Sequence, residues 1–147
     1  MEPTWGKTLV IANPAAQSGR GREGAIEVER ALRAGEAPVA SWEMRLTTRR
    51  DEATEIAAQA SEYDTVLVLG GDGVIHEAVN GLMRLSESAR PRLGVLPLGS
   101  GNDFARTLGM VSRNKPADAL RELANSGTER TFDLGFVSSD VEPAGTW

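Results

Sequence analysis

The stretch Val66–Leu82 constrains the fold most. Val66-Leu67-Val68-Leu69 is a short unbroken apolar run, the pattern of a strand buried on both faces. Gly70-Gly71-Asp72-Gly73 follows, a turn tighter than bulky residues allow. From Val74 to about Leu85, apolar residues recur at 75, 78, 79, 82, 83 and 85, which is helical spacing. A strand thus delivers a glycine turn carrying one carboxylate, and a helix starts at once. Free N–H groups and the positive dipole end of a helix start suit an anion, and glycines let it touch the backbone. Asp72 would repel a bare phosphate but suits one carried with Mg²⁺. The plain alternative is a βα turn in which Asp72 caps its own helix.

The same alternation runs along the chain. Strands are expected at Thr8–Ala12, Val39–Leu46, Val66–Leu69, Leu93–Leu96 and Arg130–Leu134. Helices are expected at about Glu23–Ala34, Asp51–Ala60, Val74–Leu85, Asn102–Leu108 and Lys115–Asn125. Ala15–Arg22 reads as a loop and Ser86–Pro91 as a connection. Strands alternating with helices imply an α/β fold: a parallel-sheet, three-layer domain with helices on both faces. Ligands of such sheets bind past the carboxyl ends of the strands. That rule gathers Asn13–Arg22, Thr47–Arg50, Gly70–Gly73 and Pro97–Asn102 into one site, with glycine-rich loops at the strand ends. The domain is expected to span 1–134, with 135–147 a tail or the first step into a second domain.

Several classes are disfavoured. The chain has 147 residues, no cysteine and a net charge of −5. Thiolate metal sites are excluded, and an acidic chain is a poor nonspecific nucleic-acid binder. The start, Met-Glu-Pro-Thr-Trp-Gly, shows no signal peptide, and no apolar run reaches the roughly 20 residues of a membrane span. A cytoplasmic protein is expected, at most peripheral to a membrane. Gly19-Arg20-Gly21-Arg22-Glu23-Gly24 spells a dinucleotide fingerprint. Six residues separate it from its strand, so it is better read as a loop presenting Arg20 and Arg22 to phosphates or simply to water. His76-Glu77 lacks the second histidine of a zinc helix, since position 80 is Asn80. Gly99-Ser100-Gly101-Asn102 repeats the strand–glycine–helix arrangement, with Ser100 able to donate to a phosphate. There is neither a G-x-x-x-x-G-K-[ST] phosphate loop nor a G-x-S-x-G elbow.

Gly70–Gly81 and Leu96–Arg106 resemble the two central motifs of the diacylglycerol kinase catalytic domain, a family that includes bacterial lipid kinases and sphingosine kinases. Asn13-Pro14 with Ser18-Gly19-Arg20-Gly21-Arg22 is similar to its first motif. Thr47 matches its threonine after the second strand, and Asp133-Leu134-Gly135 the lead into its second domain. The resemblance implies an ATP-dependent lipid kinase moving the γ-phosphoryl group to the hydroxyl of diacylglycerol or a related lipid at a membrane surface. By position, Asn13, Arg20, Thr47, Gly71, Asp72, Gly73 and Ser100 would hold ATP, and Asp72 would act catalytically near Mg²⁺. Val74 stands where many members have threonine, and the first loop is about two residues longer. The family's β-rich second domain, expected to supply the general base, is not in this sequence. The chain is therefore expected to be the nucleotide-binding domain, incomplete for catalysis alone, with a homodimer allowed. The alternatives are a non-catalytic nucleotide- or partner-binding module, and a kinase for NAD or a sugar phosphate.

Overall fold

A computed structural model describes residues 4–147; Met1–Pro3, on which part of the signal-peptide expectation falls, lie outside the described residues. Four strands form one sheet: β1 (Gly6–Ala12), β2 (Val39–Leu46), β3 (Thr65–Gly70) and β4 (Arg92–Pro97). All pairings are parallel, in the order β2-β1-β3-β4. The central strands are the apolar ones. Leu9–Ala12 of β1 and Val66–Leu69 of β3 are essentially fully buried. Each such Leu, Ile or Val contributes on the order of 1.5–3 kcal/mol through burial. The edge strand β2 alternates, with Trp42 and Met44 half-buried and Glu43 in water.

Five helices complete the layers: α1 (Ala16–Arg33), α2 (Glu52–Ala57), α3 (Asp72–Leu82), α4 (Asp103–Thr107) and α5 (Pro116–Ser126). Right-handed crossovers dictate their placement. The chain moves outward from β1 to β2, then back past β1 to β3, so α1 and α2 fall on opposite faces. From β3 to β4 the direction is kept, and α3 packs beside α2. On the other face α5 packs against α1 and β4.

Two expectations need correction. Arg130–Leu134 forms no strand: it is exposed coil, and β4 remains the sheet edge among the described residues. Its alternating apolar residues serve a different contact, with the Phe132 ring edge-on to Phe104 at 6.4 Å. The loop expected over Ala15–Arg22 is also shorter. Gln17, Ser18 and Gly19 take left-handed conformations (φ 50°, 57° and 96°), and the chain is helical again after them. This early start follows from packing, not from apolar spacing. Gly21 is buried so closely against the Asn13 carbonyl that a Cβ there would overlap it. Gly24 lies against Pro116 and Leu98. Of the fingerprint-like glycines, Gly21 and Gly24 are therefore places where α1 approaches backbone and neighbouring side chains, while Gly19 lies in open space and takes a left-handed φ.

Candidate functional site

The strand order reverses between β1 and β3, and at such a switch point the connections diverge and leave a crevice at the carboxyl ends. Backbone bonds hold the four post-strand segments side by side. The Thr47 N–H donates to the Ala12 carbonyl at 2.9 Å, Asn13 to Leu69 at 3.0 Å, and Leu98 to Gly70 at 2.8 Å. The two glycine turns lie back to back. A Cβ on Gly99 would stand 2.6 Å from the Gly71 Cα, so only glycine permits this approach.

An open groove of about 730 Å³ runs along these ends, with Asn13, Thr47 and Gly73 in its wall. Three arginines, Arg22, Arg49 and Arg50, share that wall with the single acid Glu77. Arg49 bonds Glu55 at 2.5 Å, which raises its already high pKa. Arg22 and Arg50 form no ion pair among the described residues. The loop carrying Arg49 is held by Glu52, whose carboxylate accepts the Thr48 N–H, the Thr48 hydroxyl (2.9 Å) and the Arg49 N–H (3.3 Å). These bonds, the Thr48 N–H foremost, lower the Glu52 pKa below its usual 4.5.

The sequence-derived residues do not all meet in the groove. Thr47 is buried and its hydroxyl turns back to the Ala12 carbonyl at 3.4 Å. Asn13 accepts the Ala15 N–H at 3.1 Å, shaping its own loop. Gly71 is the N-cap of α3, whose first turn has no side-chain cap. Ser100 is exposed at the tip of the second turn. Arg20 lines a separate groove between α1 and α5, with Arg30 and Lys115. Arg49 and Arg50 belong to the segment Thr47–Arg50 expected at the site, although only Thr47 of that segment is singled out as a ligand residue.

Asp72 has an unexpected partner. Its carboxylate does not cap α3. It reaches across to α4, accepting the Asp103 N–H at Oδ2 (2.9 Å) and the Phe104 N–H at Oδ1 (3.2 Å). The charge thereby satisfies the orphan donors of a helix that begins at Asn102, itself left-handed at φ 54°. Each oxygen keeps a second acceptor direction. No group of three or more His, Asp or Glu side chains converges among the described residues. A divalent cation here would therefore depend on phosphate oxygens and one carboxylate, which is how Mg²⁺ usually binds with nucleotides. The donor set fits that arrangement and not an all-protein cage.

The tail returns to the same helix. Val137 and Thr146 form an antiparallel bridge. Asn80 Oδ1 accepts the Thr146 hydroxyl (3.0 Å) and the Trp147 N–H (2.9 Å), while His76 Nε2 lies 2.7 Å from the Trp147 carbonyl. His76 is thus occupied by the tail, on the exposed side of α3.

Known proteins are similar to this chain in sequence and fold. A sequence model described as the diacylglycerol kinase catalytic domain matches residues 7–137. The chain is 43% identical over 96 residues to a diacylglycerol kinase of Bacillus subtilis, covering 63% of this chain and 30% of that protein. It is 41% identical over 99 residues to a Chromohalobacter salexigens protein named "Probable lipid kinase YegS-like", covering 66% and 31%. The crystal structure of a diacylglycerol kinase from Bacillus anthracis superposes with a TM-score of 0.69 at 31% identity, covering 80% of this chain and 39% of that one. The chain thus spans about a third of the length of the curated relatives it matches.

Proposed function

The chain belongs to the diacylglycerol kinase catalytic-domain family, and from that membership we propose that its strand-end groove holds ATP for transfer of the γ-phosphoryl group to a lipid hydroxyl. The supporting observation is the coincidence of the β1/β3 switch point, two apposed glycine turns and three arginines in one wall. Phosphoryl transfer asks a protein mainly for positioning and neutralisation of charge. Arg22 and Arg50 supply fixed positive charge. The uncapped first turn of α3 offers N–H groups past Gly71 and Gly73. Mg²⁺, carried on the phosphates, would neutralise developing charge, with Asp72, whose carboxylate lies at the start of α4, as its proposed carboxylate partner. Asn13 and Thr47 shape the wall, Ser100 donates from the second turn, and Arg20, which lines the neighbouring groove between α1 and α5, would reach the phosphates only from that side.

We assign the nucleotide unit to residues 1–134. The acceptor is proposed to be diacylglycerol or a related lipid met at a membrane surface. No helix among the described residues is long and apolar enough to cross a membrane.

Calorimetric titration with ATP and magnesium, with NAD as a competing ligand, tests the reading. Saturable ATP binding that weakens in Arg22→Ala and Arg50→Ala is expected. Tight NAD binding without ATP binding would overturn it.

A further inference from the structure

A buried side-chain network joins Asn102 and the second glycine turn to Asn114, a residue outside the expected site segments. Asn102 is 3% exposed, and its Nδ2 uses both hydrogens: one to the Gly99 carbonyl (3.1 Å), one to Asn114 Oδ1 (3.0 Å). Its own Oδ1 is buried without a partner. Both bonds made by Nδ2 go to acceptors, so the amide orientation is fixed by its neighbours. A buried polar atom left unpaired is tolerated only where surrounding structure over-determines the position. The surrounding structure here is Asn114.

Asn114 lies twelve residues beyond Asn102. It is also left-handed, at φ 60°. Its N–H donates to the Pro97 carbonyl at 2.9 Å, and its Oδ1 accepts the Gly99 N–H at 3.0 Å. Asn114 therefore brackets residues 97 and 99 as the next strand of a ladder would, with a side-chain oxygen replacing a backbone carbonyl. From there the chain of contacts is continuous. Gly99 is pressed on Gly71, Asn102 sets the start of α4, and α4 gives its first N–H groups to Asp72.

We propose that Asn114 is a positioning residue of the nucleotide site: its amide oxygen clamps Gly99 and Asn102, and so holds the Gly99–Asn102 turn in register with Gly71 and Asp72. It touches no ligand. This inference rests on the nucleotide reading above. Without the oxygen, the Gly99 N–H and one hydrogen of the Asn102 amide are stranded in a buried place. The turn must then open to find water. Opening withdraws Ser100 and the N-terminus of α4 together.

The test compares Asn114→Ala, Asn114→Asp and Leu123→Ala by three measurements: magnesium ATP affinity, melting temperature and amide hydrogen exchange. Asn114→Asp keeps the accepting oxygen. Leu123→Ala, on α5 and remote from the turn, matches a loss of melting temperature without touching the clamp. We expect Asn114→Ala to weaken ATP at least tenfold and to expose the Gly99, Asp103 and Phe104 amides. Asn114→Asp should return affinity to within about threefold, and Leu123→Ala should bind ATP as the parent does. Parent-like affinity in Asn114→Ala, or an equal loss in Leu123→Ala, overturns the proposal. If the parent protein binds no ATP, the nucleotide reading fails and the assigned role falls with it. Exchange at Gly99 then still reports whether the clamp itself exists.

Discussion

Removing the Asp72 carboxylate has two separable consequences, and the structural one can be sized. Asp72→Ala takes away the acceptors for the Asp103 and Phe104 N–H groups, at 2.9 and 3.2 Å. Loss of a helix-capping carboxylate costs about 0.5–2 kcal/mol. Two bonds to an ionised group would suggest more, about 1.5–3 kcal/mol each. Asp72 is only partly buried, however, so water can replace the lost acceptor and the lower range applies. We expect about 1–2 kcal/mol, or roughly 3–6 °C in melting temperature for a chain of this size. Asp72→Asn keeps one acceptor and should lose about half as much. Urea unfolding followed by circular dichroism measures this without any ligand. A loss below about 0.3 kcal/mol for Asp72→Ala, with α4 amides still protected, would show that the carboxylate does not stabilise α4 and would refute the reasoning.

Gly21→Ala forces a Cβ into the Asn13 carbonyl. The start of α1 must shift, and a loss of about 1–3 kcal/mol in urea unfolding is expected. Glu52 titrates below its usual 4.5 because the Thr48 N–H and hydroxyl bond its carboxylate. A lowered folded pKa adds stability above pH 4.5 and loses it as pH falls through the lowered value. Glu52→Gln should therefore flatten that part of the acid-unfolding curve and leave the rest unchanged. Asn80→Ala removes the acceptor for Thr146 and Trp147. Limited proteolysis should then cut faster within 135–147, while the melting temperature of the sheet domain stays within about 2 °C.

The sheet was legible because its signals are local. Val66–Leu69 is apolar throughout since both faces are covered, and the glycine turns announce themselves where two backbones meet. The expected four strands β1 to β4 stand within two residues of their observed limits. Partners distant in sequence were not legible. Asp72 caps a helix thirty-one residues away, and nothing in Gly70–Gly73 distinguishes that from capping its own helix. Asn114 carries no local signal in the sequence; its clamp exists only once Pro97 and Gly99 stand beside it. Arg130–Leu134 carried a strand pattern, but a pattern supplies only a face. A strand also needs an edge to pair with, and Phe132 found an aromatic ring instead.

The central claim is that magnesium ATP occupies the β1/β3 strand-end groove. Amide shift changes in the ¹⁵N-labelled chain, followed while magnesium ATP is added, test it most directly. Occupation of the groove should give saturable changes concentrated in residues 13–22, 47–50, 70–74 and 99–102. No change at millimolar ATP, or changes confined to the groove around Arg30 and Arg121, would contradict it.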